Sequence, residues 1–280
     1  MRRGHLMLLL AVLAVTASCR GLPFGNRLQK LPLEPATAQH QLRFDCDFKL
    51  PPDSGLVDQL QAERDVIYTT LALPPSDEPI YVHLFRNEED YQEHLQHKFP
   101  MVPNRRAFFV EVDSSLHVYA HSSDRWAEDL RHEVAHGYLH ASVPAIPLWI
   151  DEGLAEYFEV PSTQQGLNHP HLMLLADLIE HNGWKPDLKQ LESLNSAGEM
   201  QQVHYAEAWA WVYFLLNTTP ERRELLTNYL VELREKGRAA PLSGRLFKPQ
   251  QDLEREFMDF VLARRAREAS HQASLRKTSP

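Results

Sequence analysis

His132, Glu133 and His136 stand in the run Arg131-His-Glu-Val-Ala-His136, and Asp151-Glu-Gly-Leu-Ala-Glu156 follows. Two imidazoles four residues apart share one face of a helix, about 6 Å apart along its axis. That spacing lets both bind one zinc ion through bonds of roughly 2.0–2.1 Å. Glu133 then lies beside the fourth coordination position, where it can take a proton from water. A third ligand has to come from elsewhere in the chain. Glu152 follows His136 after 15 residues, room for a turn and the first part of an antiparallel helix. Its carboxylate would complete a His-His-Glu set and leave one position open. Glu156, one turn further on, faces the same way and is placed to hydrogen-bond the outer nitrogen of a ligand histidine. The two glutamates could exchange these roles; Gly153, which permits close backbone packing, favours Glu152 as the ligand.

Other ligand schemes fail. Leu139 and Ser142 occupy the positions where a metzincin carries glycine and a third histidine. His140 lies eight residues from His132, about 12 Å along a helix axis, too far to share one ion. It reads as a surface or supporting residue.

The elements that must position these groups are legible in outline. Trp126, Leu130, Val134 and Leu139 recur at near-helical intervals around the motif, with Asp124 placed to cap the start. A second helical pattern, 147–159, begins after Pro144 and Pro147 and carries acidic groups at 151, 152, 156 and 159. Upstream, a strand at 41–48 precedes a helix at about 54–72 that ends before Pro74-Pro75. Pro79 to Phe85 reads as a strand, and Asn87 opens a short helix. Segments 107–112 and 116–120 flank Asp113-Ser114-Ser115 as a hairpin. From about 168 to 265 the pattern is mainly helical, and Ala206 to Leu216 is apolar almost all round, a buried helix. Past 269 the composition is polar and points to a disordered tail.

His132-Glu133-x-x-His136 followed by Trp149-Ile-Asp-Glu152-Gly-Leu-Ala-Glu156-Tyr157 resembles the active-site pair of helices in gluzincin metallopeptidases. The likeness is closest to the peptidase-MA-like bacterial lipoproteins of unknown function. The thermolysin and aminopeptidase branches share the arrangement more distantly. Specific identity covers 128–159, and weaker likeness in the order of strands and helices runs from about 40 to 265. The resemblance implies an α+β, zincin-like fold: a small mixed sheet whose edge strand packs on the His-Glu-x-x-His helix and lines the substrate cleft, followed by a mainly helical C-terminal lobe. It implies Zn2+ held by His132, His136 and Glu152, with Glu133 as general base. In this class a Tyr or His opposite the metal often stabilises the oxyanion. Tyr205 is the first candidate and His204 the second, with helix capping or packing as the competing role for both. The aminopeptidase exopeptidase signature is absent, so exopeptidase activity is not implied.

The N-terminus speaks to location. Arg2 and Arg3 precede an apolar run from Leu6 to Ala17, too short to span a membrane and suited to a secretory signal. The run ends Thr16-Ala-Ser-Cys19, which resembles a bacterial lipoprotein box. Cleavage before Cys19 would leave its thiol for lipid attachment, and Arg20 after it implies outer-membrane sorting in a Gram-negative cell. Residues 1–18 are then a signal peptide and 19–39 a tether. Residues 40–268 form the catalytic domain, α/β to about 160 and helical after it, and 269–280 the tail. The lone remaining cysteine, Cys46, alternates with Leu42, Phe44 and Phe48 on one strand face and reads as buried packing.

Signal loss would move the formal charge from −9 to −11. An acidic surface gives no reason to expect nucleic acid as a partner. The expected partners are a peptide or protein substrate and a membrane reached through the lipid anchor. The expected activity is zinc-dependent peptide hydrolysis in the bacterial envelope, on a protein facing the periplasm or the cell surface. The alternatives are hydrolysis of another envelope amide bond and a non-catalytic lipoprotein binding module on the same fold.

Overall fold

The computed structural model describes residues 41–50, 55–102, 104–247 and 252–278. The signal peptide, Cys19 and the tether lie outside these residues. The four strands are β1 (Leu42–Cys46), β2 (Ile80–Phe85), β3 (Ala107–Val112) and β4 (Ser115–His121), in sheet order β1-β2-β4-β3. β1 runs parallel to β2 and β2 parallel to β4, with Leu42 opposite Ile80 and Ile80 opposite Leu116. β3 closes one edge as an antiparallel hairpin with β4, Ala107 opposite Ala120. Its two turn residues, Asp113 and Ser114, have φ of 50° and 60°. That conformation matches a two-residue turn to the twist of the strands, and short polar side chains tolerate it. The chain is therefore α+β with a small mixed sheet, as expected.

Alternation decides which face is which. Ile80, Val82, Leu84, Leu116, Val118 and Ala120 point to one side, where α3 (Trp126–His140) covers them and α1 (Leu56–Leu71) packs on α3. The other face meets α2 (Glu88–Lys98), whose Tyr91 and Leu95 pack on Tyr119. The Asn87 side chain accepts from Asp90 N at 2.9 Å and fixes the start of α2. α3 lies close over β2 because residue 137 is glycine: a Cβ there would sit 3.0 Å from Ile80 side-chain atoms. α3 also packs on edge strand β3, with the Phe109 ring against His136 and His140.

After α3 the chain turns into α4 (Leu148–Phe158), with Pro147 at its N-cap. The rest is helical: α5 (His169–Asn182), α6 (Leu188–Ser193), α7 (Gln202–Asn217), α8 (Pro220–Lys236), α9 (Ser243–Leu246) and α10 (Leu253–Thr278). Every residue of α7 from Ala206 to Leu216 is buried, with α4, α5, α8 and α10 packed around it. Large side chains such as Trp209, Trp211 and Phe214 each contribute on the order of 2–3 kcal/mol by leaving water. No helix among the described residues is long and apolar enough to cross a membrane.

Two local expectations are corrected. α3 begins one residue later than an Asp124 cap requires; Arg125 takes the N-cap position, and no side chain caps that end. α10 continues to Thr278, so the backbone is helical past 269, where polar composition pointed to a disordered tail. Residues 253–278 contain neither Gly nor Pro to stop the helix.

Candidate metal centre and cleft

α3 and α4 together build the site. The Nε2 atoms of His132 and His136 face each other at 3.2 Å. Glu152, from α4, brings Oε2 to 3.5 Å from the first and 3.6 Å from the second. A tetrahedral centre with bonds of about 2.0–2.1 Å has ligand-to-ligand edges of about 3.3–3.4 Å. The three atoms therefore already stand at metal-ligand separations, and these residues could hold one ion.

The outer ring nitrogens explain why both Nε2 atoms turn inward. Glu159, at the C-cap of α4, places Oε2 2.9 Å from His132 Nδ1. Asp151 Oδ1 lies 2.9 Å from His136 Nδ1, somewhat off the line of an ideal hydrogen bond, and Asp151 Oδ2 lies 2.9 Å from His140 Nε2. Were both rings neutral, with each Nδ1–H turned to a carboxylate, the Nε2 lone pairs would point at one another. That arrangement is unfavourable unless a proton or cation lies between them. The donor set fits a zinc ion on that ground as well as on spacing.

Electrostatics describe the same demand for positive charge. Burial works against a charged His132, but its contacts with Glu152 and Glu159 prevail and hold its pKa well above the usual range. Burial likewise opposes a charged His136, while Asp151 and Glu152 push it to about 10. Burial would raise Glu152, yet the two imidazoles hold it at about 2. Asp151 is also held below the ordinary carboxylate range; burial opposes this, and His136 and His140 prevail. Glu159 is pushed up to about 7, first by burial and then by Glu156 beside it, against the pull of His132. For Glu133, burial raises the carboxyl, Glu152 adds to it, and the two imidazoles and Arg105 oppose.

Glu133 lines an open cleft of about 620 Å3, shared with His132, Glu156, Glu159, Arg105, Arg106 and Arg125. A cavity of about 600 Å3 lies between α1 and the end of α4, and none of His132, Glu133, His136 or Glu152 lines it. Of these four, His132 and Glu133 line the cleft, while His136 and Glu152 lie buried behind them.

Tyr205, in the first turn of α7, is half-buried. Burial raises its hydroxyl pKa, Glu152 adds to this, and Arg105 and His132 oppose, which places the ring within the field of the site. His204 is used differently. Its Nδ1 accepts the Gln201 backbone N–H at 3.0 Å, closing a capping box at the start of α7. Capping therefore claims His204.

Glu156 does not take the expected supporting place. Its Oε2 contacts His171 Nε2 at 2.7 Å and accepts from Asn168 Nδ2 at 3.1 Å, and Glu159 reaches the outer nitrogen of His132 instead. The approach of α4 to α3, rather than the helical period of α4 alone, selects residue 159. Gly153 packs closely as expected, though against α7: a Cβ there would stand 2.5 Å from the Ala208 carbonyl oxygen. Cys46 is buried, and burial pushes its thiol up to about 12. Arg105 and the contacts of Asp151 and Glu159 were missed by sequence reasoning. The acidic spacing at 151 and 159 carried a signal, whereas Arg105 carried none.

Residues 128–242 match the family model described as Protein of unknown function (DUF1570). The match spans α3 to the end of α8, with His132, Glu133, His136, Glu152, Glu159 and Tyr205, and excludes all four strands. No curated protein matches the chain.

Proposed function

We propose that this chain is a zinc-dependent metallopeptidase of gluzincin type, anchored in the bacterial cell envelope. The observation that carries the reading is the convergence of His132 Nε2, His136 Nε2 and Glu152 Oε2 to within 3.6 Å of one another, beside Glu133 in an open cleft. When bound, zinc would polarise the scissile carbonyl and acidify the attacking water. Glu133 accepts the proton of that water and delivers it to the leaving amine. The raised pKa that burial gives its carboxyl suits a group that must both take and return a proton. Tyr205 supplies a hydroxyl donor where negative charge develops on the carbonyl oxygen. Glu159 and Asp151 hold the histidines in orientation.

The test uses purified residues 20–280 and a broad peptide library. About one zinc per chain and measurable cleavage are expected, with zinc lost in His132→Ala and His136→Ala. Glu133→Gln should keep zinc and fold while cutting hydrolysis by at least about 10²-fold. Equal rates for parent and Glu133→Gln would defeat the mechanism. Full zinc with no cleavage in the parent would favour a binding module, and cleavage only of other envelope amides would redirect the substrate. We also infer that Cys19 carries the lipid. Cys19→Ala should move the protein out of the membrane fraction, and unchanged processing and fractionation would refute the anchor.

A further inference from the structure

The rim of the cleft carries three arginines with different partners. Arg106 grips Asp129 with Nε and Nη2, at 2.6 to 3.2 Å. Arg125 pairs with Glu128. Arg105 lines the same cleft, is half-buried, shares a side-chain hydrogen bond with Tyr205, and has no carboxylate within ion-pair distance among the described residues. Its main-chain carbonyl accepts from Gln92 Nε2 at 3.3 Å, which ties the backbone before β3 to α2. Arg105 thus sits on a braced segment of a cleft that His132 and Glu133 also line. A partly desolvated guanidinium lacking an acid partner is a ready site for a planar anion, which it can grip through two parallel N–H donors.

The surroundings limit what that anion can be. Glu133, Glu156 and Glu159 line the same cleft, so a doubly charged phosphate would meet three carboxyls for one guanidinium. A singly charged carboxylate suits one arginine. We propose that Arg105 anchors a carboxylate of the substrate, so that the cleft selects peptides carrying a carboxylate close to the bond that is cut. The inference rests on the peptidase reading for the words "substrate" and "cut", while the anchor itself is a binding property. The carboxylate is either the C-terminal group of a peptide or an acidic side chain.

The experiment reads binding by calorimetry in the zinc-loaded Glu133→Gln protein, which does not turn the ligands over. One pair of probes is Ala-Ala-Phe as acid and as amide; the other is N-acetyl-Ala-Glu-Phe-amide and its Gln counterpart. In at least one pair the carboxylate form should bind about tenfold or more tightly, roughly the value of one charge-assisted pair. The responding pair identifies the source of the carboxylate. Adding Arg105→Gln should abolish the preference, and Arg105→Lys, which keeps charge but loses the fork, should retain part of it. Equal binding within both pairs, or a preference that survives Arg105→Gln, overturns the proposal. Arg105-dependent binding in a protein whose parent cleaves no peptide would sink the peptidase reading and leave the anchor standing. Cleavage with no carboxylate preference would do the reverse.

Discussion

Glu159 Oε2 lies 2.9 Å from His132 Nδ1, the ring nitrogen turned away from Glu152. The other oxygen of Glu159 accepts from Asn168 Nδ2 at 2.9 Å, and Asn168 is the N-cap of α5, where its Oδ1 receives the His171 N–H. A helix start therefore braces the carboxylate that braces the histidine. Fixing the proton on Nδ1 leaves Nε2 bare and aimed at the metal position.

Removing that brace should be felt at the metal. Glu159→Gln is expected to weaken zinc binding by about 10- to 100-fold in chelator competition. Glu156→Gln, whose partners are His171, Asn168 and Glu159 but neither ring nitrogen of His132, should cost clearly less affinity. A loss with Glu156→Gln as large as that with Glu159→Gln would show that the carboxylates act as one unit.

The contrast between 156 and 159 marks where sequence reading runs out. His132 and His136 lie on one helix, so 3.6 residues per turn alone brings them together. Glu152 sits one short connection away, and its acidic helix was visible from the same period. Residues 152, 156 and 159 all share a helical face, however, and only the approach of α4 to α3 decides which carboxylate meets His132 Nδ1. That is a property of side-chain packing between elements, not of either element. Arg105 is less legible still, because it precedes a strand and enters the cleft through tertiary placement. The β3–β4 hairpin could be read from its turn and alternation, whereas the parallel pairing of β1, β2 and β4 depends on long-range contacts.

A buried carboxylate away from the cleft gives a test of pH dependence. Glu207, on α7, accepts the Asp187 N–H at 2.7 Å and the Trp211 indole N–H at 3.3 Å. Burial nonetheless pushes it from 4.5 up to about 7. Below 4.5 the group is protonated in both folded and unfolded chains and imposes no penalty. Between 4.5 and 7 the unfolded chain ionises first, so stability falls, by on the order of 3 kcal/mol at most. Glu207→Gln keeps an oxygen for both donors but cannot ionise. Urea midpoints should show the variant gaining on the parent between pH 4.5 and 8. The same difference at both pH values, or the opposite trend, would contradict a raised Glu207.

Gly153 links the stability of the helical lobe to the geometry of the site. A Cβ at 153 would stand 2.5 Å from the Ala208 carbonyl oxygen and 2.7 Å from its carbon, both main-chain atoms of a helix buried from 206 to 216. Main chain cannot rotate away as a side chain can, so α4 and α7 must separate. Gly153→Ala is expected to cost about 1–3 kcal/mol, the range for overpacking a core. Because Glu152 is the adjacent residue, the displacement should also lower zinc affinity, which simple destabilisation elsewhere would not. Gly198→Ala is the control: a Cβ there would come no nearer than 4.0 Å to the Ser196 hydroxyl oxygen, and its effect should stay within about 0.5 kcal/mol. Urea unfolding of both variants, with chelator competition on each, separates the two effects. If Gly153→Ala is as harmless as Gly198→Ala, the close approach of α4 to α7 does not hold the site together.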